Sequence, residues 1–253
     1  MFQFAFGLAA STRLGTDFAM NDELLAPAFR LGPWGSPVRR ARRSMRFRAA
    51  RQLAPHRVVK VDNDDDPDAV MASLADRVHY AGFFQSARYF DEVQSLVRRA
   101  FEPRARHVDA FRERYGLLLR APYICCHVRR TDYERGGIVL PISYYRECLD
   151  LVRAHSSAPV VFVGDDLEEV ERELGGNPGI QLEYNDEIVD LQLLINAAVV
   201  VTSNSSFGWW GSWLGRAGRP VYAPKDWLGF KTGRERPRGV LPADWRQVAV
   251  LAS

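Results

Sequence analysis

The sequence contains few lysines, few cysteines and no long apolar run. Three lysines leave 31 arginines among its 34 basic residues, a bias that we attribute to a GC-rich genome and not to function. Three cysteines do not make a disulfide framework, so we expect Cys125 and Cys126 to be small core residues. No run reaches the ~18 apolar residues of a membrane span, and the residues after Met1 lack the basic region and the cleavage site that are typical of a secretory signal. We therefore expect a cytoplasmic protein without an integral membrane segment.

The composition is otherwise that of an ordinary folded protein. The 253 residues, 47% of them hydrophobic, suffice for two small domains or one large domain. A net charge of +3 does not by itself indicate nucleic acid. The arginine-rich run 39–48 has the charge to bind nucleic acid or an anionic membrane, but no partner fold accompanies it. We expect no nucleic-acid partner there, and a solvated helix or an acceptor-side surface instead. Peripheral membrane association and the oligomeric state stay open.

Strand and helix patterns alternate from residue 121 to residue 224. This repetition predicts a parallel sheet covered by helices on both faces, and such sheets bind ligands beyond the carboxyl ends of their strands. Asp165, Asp166 and Asp186 are candidate helix caps. Residues 1–115 are less regular, with a helix expected at 1–14 and a strand near 57–61. The strands are predicted at 123–128, 159–164, 180–184, 198–202 and 220–223, and the helices at 142–155, 166–174, 187–197 and 205–216.

The segment Ser203–Leu214 reads SNSSFGWWGSWL and follows a buried strand pattern. Its polar turn opens a helix, whose free N–H groups and partial positive charge suit an anion. The tryptophans at helical spacing behind this turn favour core packing over sugar stacking.

The segment Tyr123–Tyr133 reads YICCHVRRTDY and predicts a buried strand with a charged tip. Alternation places His127 and Arg129 on one side of the strand and Arg130 on the other. Guanidinium groups match phosphate oxygens in a bidentate manner. Two strand tips that each suit a phosphate group, on one sheet, indicate a single diphosphate ligand.

Five segments, in order, resemble motifs of the α1,2-fucosyltransferase family of bacteria and animals, glycosyltransferase family 11. The H-x-R-R-x-D motif, which the segment His127–Tyr133 resembles, is shared with α1,6-fucosyltransferases. Gly208 stands where the family has serine, which puts a hydroxyl contact in doubt but not the turn. The segments are Met1–Gly7, Gly82–Phe90, His127–Tyr133, Val163–Asp166 and Ser203–Leu214.

The resemblance implies an α/β fold of the GT-B type, with two Rossmann-like domains facing a cleft. We expect an acceptor-side domain at 1–118, which lacks its first strand, and a GDP-fucose domain at 119–253. The implied reaction is inverting transfer of L-fucose from GDP-β-L-fucose to a galactose 2-hydroxyl of a glycan. A fucosyltransferase of another linkage, α1,6 or O-linked, and a non-catalytic sugar-binding protein are the alternatives.

The family motif places a strand and a glycine loop ahead of Met1. Their absence leaves two interpretations, a mis-called start codon, which we favour, or a degenerate copy of the gene. The second interpretation is what keeps the non-catalytic alternative open.

The resemblance assigns catalysis to the first strand tip. Arg129 is expected to hold the β-phosphate and stabilise the departing GDP, with Arg130 steering or bracing it; the alternative is a surface ion pair. Asp132 is the candidate general base, although it could instead orient Arg129, and Glu134 is its rival. His127 is either a ligand contact or a core histidine.

The remaining candidates bind the donor nucleotide. Asn204, Ser205, Ser206 and Phe207 are expected at the diphosphate, although the polar three could simply cap the helix. Asp165 and Asp190 are expected at guanine or ribose, again with capping as the alternative.

No metal or other cofactor is expected. The Asp62–Asp68 run contains D-x-D patterns, yet we interpret it as a solvated acidic loop outside the nucleotide domain. Arginines would then neutralise the charge that a metal neutralises in other glycosyltransferases.

Overall fold

The computed structural model describes residues 1–20, 23–31 and 57–251, together with the single positions 36, 41 and 45. The chain folds into two compact units. The first comprises residues 1–104 and 236–242, and the second comprises residues 105–235 and 243–253. The arginine-rich run 39–48 lies outside the described residues except for positions 41 and 45.

The first unit is built around helix α1 (Phe2–Leu14), which buries aromatic and aliphatic side chains. The Phe6 ring stacks on Phe84 at a centroid distance of 3.9 Å. Two short parallel strands pair beside this cluster, with Val58 opposite His79. The remaining elements are β1 (Arg57–Lys60), α2 (Pro67–Ala72), β2 (Val78–Ala81), a 3-10 helix (Ala87–Val93) and α3 (Gln94–Ala100).

The second unit contains a six-stranded sheet in the order β5-β4-β3-β6-β7-β8, in which every pairing is parallel. Its strands are β3 (Ile124–Val128), β4 (Val160–Gly164), β5 (Ile180–Glu183), β6 (Val199–Val201), β7 (Val221–Pro224) and β8 (Arg246–Val248). Its helices are α4 (Ala105–Tyr115), a 3-10 turn (Leu118–Arg120), α5 (Thr131–Arg135), α6 (Ile142–Arg153), α7 (Glu168–Leu174), α8 (Glu187–Asn196) and α9 (Ser206–Leu214).

The register of the central strands aligns their carboxyl ends. Cys126 of β3 lies opposite Phe162 of β4 and Val201 of β6. A Cβ atom on Gly164 would collide with the Val128 carbonyl oxygen, so the end of β4 approaches β3 more closely than a side chain allows. The three strand tips therefore open onto one edge of the sheet.

The strands and helices predicted between residues 121 and 224 are confirmed, with bounds that differ by no more than two residues. The tryptophans of α9 are buried, as expected, and Trp209 also packs against Trp245. The three cysteines are free and buried. Helix α5 and the edge strand β8 were not predicted.

The boundary between the units falls at 104/105, whereas the sequence placed it at 118/119. Helix α4 belongs to the second unit because the Tyr115 hydroxyl donates to Glu183 Oε2 at 2.7 Å. Residues 236–242 belong to the first unit: Arg238 pairs with Asp66 at 2.8 Å, and the Ser86 hydroxyl donates to the Gly239 carbonyl. These contacts join residues that are far apart in the sequence, so the amino-acid composition of the segment does not indicate them.

Buried Arg219 ties helices α8 and α9 together behind the sheet edge. Its guanidinium donates to the carbonyl oxygens of Leu194 and Ala197, each at 2.7 Å, and to that of Gly211 at 2.9 Å. These carbonyls lie near the carboxyl ends of the two helices, where backbone acceptors lack helical partners. Arg219 thus fixes α9, whose other end carries the polar turn.

Within the described ranges, no helix has both the length and the apolar character that crossing a membrane requires.

Candidate active site at the carboxyl edge of the sheet

The carboxylate of Asp165 joins the tips of β3 and β4. It accepts hydrogen bonds from the backbone N–H groups of Arg130 at 2.9 Å and Thr131 at 3.2 Å, and from the Thr131 hydroxyl at 2.5 Å. The expectation that Asp165 caps the helix following it is wrong. The carboxylate instead accepts from the N–H groups at the start of α5, the helix that follows the neighbouring strand β3. Asp166, the other candidate cap, accepts from Glu168 N at 3.0 Å.

The guanidinium of Arg129 lies between two carboxylates at this edge. Its Nε atom is 2.8 Å from Asp132 Oδ1, and a terminal nitrogen is 3.3 Å from Asp165 Oδ2. The group also lies over the Tyr133 ring at 5.8 Å. The side chain remains 35% exposed, so the held guanidinium is still accessible to a ligand.

Arg130 points to the other side of β3, as alternation predicts. Its guanidinium pairs with Glu134 at 2.9 Å and closely with Glu169 of α7. Only 14% of the side chain is exposed. Arg130 therefore braces α5 against α7, while its expected part in steering or bracing at the diphosphate stays a prediction.

Asp132 has the geometry of an orienting residue. The hydrogen bond from Arg129 holds the pKa of its carboxyl below the ordinary value, although the group is exposed. A lowered pKa makes a carboxylate a weaker base. The alternative role, orienting Arg129, is what the contact directly shows, while the base role stays a prediction. Its rival, Glu134, is paired with Arg130.

The β6–α9 turn is buried and ordered by its own hydrogen bonds. Ser205 is the N-cap of α9, and its hydroxyl accepts from Phe207 N at 3.3 Å. Asn204 Nδ2 donates to the Ile138 carbonyl at 2.9 Å, whereas its buried Oδ1 has no partner within the described chain. Ser206 occupies the first helical position and is partly exposed. The capping alternative thus holds for Ser205, whose hydroxyl engages the Phe207 N–H, while Ser206 stays partly exposed.

His127 connects the two motifs. Its Nδ1 atom is 2.8 Å from Ser203 Oγ, and its ring packs against Phe207 at a centroid distance of 5.3 Å. The Tyr133 hydroxyl reaches the Asn204 carbonyl at 3.4 Å. Burial lowers the pKa of the imidazole to about 3, so the ring is neutral at physiological pH. The strand tip and the polar turn are therefore a single site.

Asp190 is buried in the first turn of α8, in a separate polar group. Its Oδ1 accepts from Asn185 Nδ2 at 2.9 Å, and Asn185 in turn contacts the Tyr115 hydroxyl at 2.9 Å. Burial raises the pKa of the carboxyl to about 7, and the nearby Glu183 and Glu187 add to the rise. Among the described residues, no hydrogen bond joins this carboxylate to Arg129 or to the polar turn.

Several carboxylates of the Asp62–Asp68 run have hydrogen-bond or ion-pair partners within the first unit. Asp66 caps α2 and pairs with Arg88 at 2.9 Å and Arg238 at 2.8 Å, and Asp68 also contacts Arg88. Asp65 accepts from Asp62 N at 2.8 Å. Across the described parts of the chain, no group of three or more His, Cys, Asp or Glu is placed to hold a metal ion.

The family model described as glycosyl transferase family 11 matches residues 62–230. This span contains both motifs and most of the six-stranded sheet.

The chain belongs to glycosyl transferase family 11.

Curated relatives are similar to this chain over part of their length. An α-1,2-colitosyltransferase of Escherichia coli is 30% identical over 157 residues, which cover 57% of this chain and 54% of the relative. A galactoside 2-α-L-fucosyltransferase of Caenorhabditis elegans is 24% identical over 157 residues, covering 55% and 43%. The chain thus spans about half the length of the curated relatives it matches.

Solved structures share the fold of this family 11 chain. The NodZ α-1,6-fucosyltransferase soaked with GDP-fucose superposes with a TM-score of 0.54 at 14% identity, covering 85% of this chain and 87% of that one. POFUT1 in complex with GDP gives 0.55 at 11% identity, covering 87% and 93%. The predicted α/β fold of the GT-B type is confirmed.

Three residues of the family 11 site were not selected from the sequence. Thr131 and Tyr133 belong to the quoted motif but were given no role, and Ser203 was placed in the polar turn without a role of its own. Their contacts depend on which strands are neighbours. A signal was available for Thr131, because a hydroxyl at the start of a short helix is a common capping partner.

The raised pKa of Asp190 makes a prediction for stability. Its folded pKa of about 7 exceeds the ordinary 3.8, so the folded state binds more protons between these values. Its contribution to the free energy of unfolding therefore decreases as pH rises from about 4 to about 7 and is constant above that. Asp190→Asn should gain stability relative to wild type by on the order of 2 kcal/mol between pH 5 and pH 8.

Urea unfolding at several pH values measures this difference. The matched control is Asp150→Asn, which alters an exposed carboxylate on α6 and should show no such trend. A stability difference for Asp190→Asn that does not change with pH would contradict the buried, proton-binding carboxylate.

Proposed function

We propose that this protein transfers L-fucose from GDP-β-L-fucose to the 2-hydroxyl of a galactose residue in a glycan, with inversion and without a metal ion. The observation that carries the proposal is the junction of two motifs at one sheet edge. Arg129, on the β3 tip, lies one strand from the N-terminus of α9, and His127 and Ser203 link the two tips at 2.8 Å. Membership of family 11 supports the same reaction class.

The charge at this edge fits a diphosphate leaving group. Breaking the bond between fucose C1 and the β-phosphate oxygen leaves the electron pair on GDP and an oxocarbenium-like sugar. Arg129 is held in place by Asp132 and Asp165 before any ligand arrives, so its charge needs little reorganisation. Preorganised donors of this kind lower a barrier by about 3–4 kcal/mol. The free N–H groups of α9 add partial positive charge.

The acceptor hydroxyl completes the balance. Its oxygen attacks fucose C1 on the face opposite GDP, which inverts the configuration, and its proton passes to a base. Asp132 is our candidate for that base. Because the Arg129 contact lowers the pKa of Asp132, we propose a loose transition state that places a small demand on the base.

The nucleotide is the second part of the proposal. His127 and Asp165 would lie beside the ribose and diphosphate, and Asn204, Ser205, Ser206 and Phe207 would line the phosphate turn. Asp190 would accept the guanine N–H groups from its buried carboxylate. The assignments of His127, Asp165 and the turn are supported by their place at the carboxyl edge of the sheet. The assignment of Asp190 is supported by its place in the first turn of α8, the helix that leads into β6.

A second donor is favoured by one observation. The relative with 30% identity is named for transfer of colitose, so a colitosyl donor is the alternative sugar nucleotide. Transfer with another linkage, α1,6 or O-linked, and non-catalytic sugar binding also stay open. We place the reaction in the cytoplasm, in bacterial surface polysaccharide assembly, and an acceptor panel with both donors would separate these options.

Arg129→Ala should lower the turnover of GDP-fucose by about 100- to 1,000-fold, because it removes a preorganised charge from the leaving group. GDP release from purified protein in the presence of a galactose-terminated acceptor measures this loss. The matched control is Arg146→Ala, which removes a surface ion pair with Glu173 on α6 and α7 and should retain full activity. Wild-type turnover in Arg129→Ala would refute the role of the guanidinium.

Chelation tests the metal-free claim. Since arginine and helix N–H groups neutralise the diphosphate in this account, saturating EDTA should leave the rate of fucosyl transfer unchanged. Activity that disappears with EDTA and returns with Mg²⁺ or Mn²⁺ would show that a divalent ion takes part.

A further inference from the structure

Ser203 and Gly208 surround one edge of the His127 ring. Ser203 lies at the end of β6, and its side chain is 0% exposed. Gly208 lies in the first turn of α9, against the same ring. Together they define where the imidazole sits and which of its nitrogens is occupied.

Gly208 provides the space for the ring. A Cβ atom at this position would lie 2.8 Å from His127 Nδ1 and closer still to Thr202 Oγ1. Contacts below 3.0 Å force something to shift, and both neighbours are buried. The ring therefore occupies the volume that any side chain at 208 would need, including the serine of the family motif.

Ser203 decides where the imidazole proton lies. Within the described chain, the only polar partner of its hydroxyl is His127 Nδ1, at 2.8 Å. If the hydroxyl accepted a proton from Nδ1, its own proton would be buried without an acceptor. Buried donors without partners are rarer in proteins than acceptors with a spare lone pair. The hydroxyl therefore donates, and Nδ1 accepts.

We propose that Ser203 and Gly208 are positioning residues that hold His127 as the neutral tautomer with its proton on Nε2, which makes the ring a hydrogen-bond donor to the nucleotide. Nε2 has no partner among the described residues, so this N–H is available to an oxygen of the donor. The lowered pKa of His127 supports a neutral ring. The hydrogen bond from Nε2–H to the nucleotide rests on the proposed function, whereas the tautomer assignment does not.

Nuclear magnetic resonance of protein labelled with ¹⁵N-histidine tests the tautomer directly. With His127 assigned through the His127→Gln variant, two-bond correlations distinguish the protonated from the unprotonated ring nitrogen. The expected pattern is a protonated Nε2 and an unprotonated Nδ1 at neutral pH. A protonated Nδ1 would overturn the proposal.

GDP affinity measured by calorimetry tests the consequence. Ser203→Ala and Gly208→Ala should each weaken GDP binding by about 5- to 10-fold, the value of one neutral hydrogen bond. In Ser203→Ala the Nε2-protonated pattern should also be lost. The matched control is Ser212→Ala, which removes another buried hydroxyl of α9, bonded to the Gly208 carbonyl at 2.7 Å. It should keep both the tautomer and the affinity.

A double variant separates positioning from loss of structure. A glutamine at 127 donates through its amide without help from Ser203, so Ser203→Ala should cost no further GDP affinity in the His127→Gln background. An equal loss in both backgrounds would show that Ser203 acts through the fold and not through His127. If the wild type has the predicted tautomer but does not bind GDP, the proposed function fails and the tautomer assignment stands.

Discussion

The parallel pairing of β3 between β4 and β6 is the constraint on which the site depends. This register places Cys126 opposite Phe162 and Val201, so each strand delivers its next residues to the same edge. Arg129, Asp165 and Ser203 come from three different parts of the sequence and meet there. A shift of one residue in β3 would reverse the sides of His127 and Arg130, and the site would not form.

The charges at this edge are arranged so that one arginine stays accessible while the other is fully engaged. Arg130 is paired with two glutamates and stabilises the packing of α5 on α7. Arg129 is restrained by two carboxylates yet still exposed. A diphosphate would therefore meet a cation that is already oriented, beside the start of a helix. This division of roles explains why the motif has two adjacent arginines and why they are not equivalent.

The sequence was sufficient for five of the six strands of the sheet, because short apolar runs alternate with helical patterns between residues 121 and 224. It was also sufficient to select Arg129, His127 and the Ser203–Leu214 turn, since their residue types suit an anion. It could not reveal that Asp165 caps α5, because Asp165 and Thr131 are 34 residues apart in the sequence and meet only through the pairing of β3 with β4. Nor could it place the 236–242 segment in the first unit, which depends on the pairing of Arg238 with Asp66.

The central claim is that the tips of β3 and β6 form one diphosphate site. Hydrogen–deuterium exchange of the protein with and without saturating GDP tests it most directly. The account predicts slower exchange at the backbone amides of residues 129–133 and 204–208, together, with no change in the edge strand β8. Protection of only one of these two segments, or of neither, would contradict a shared site.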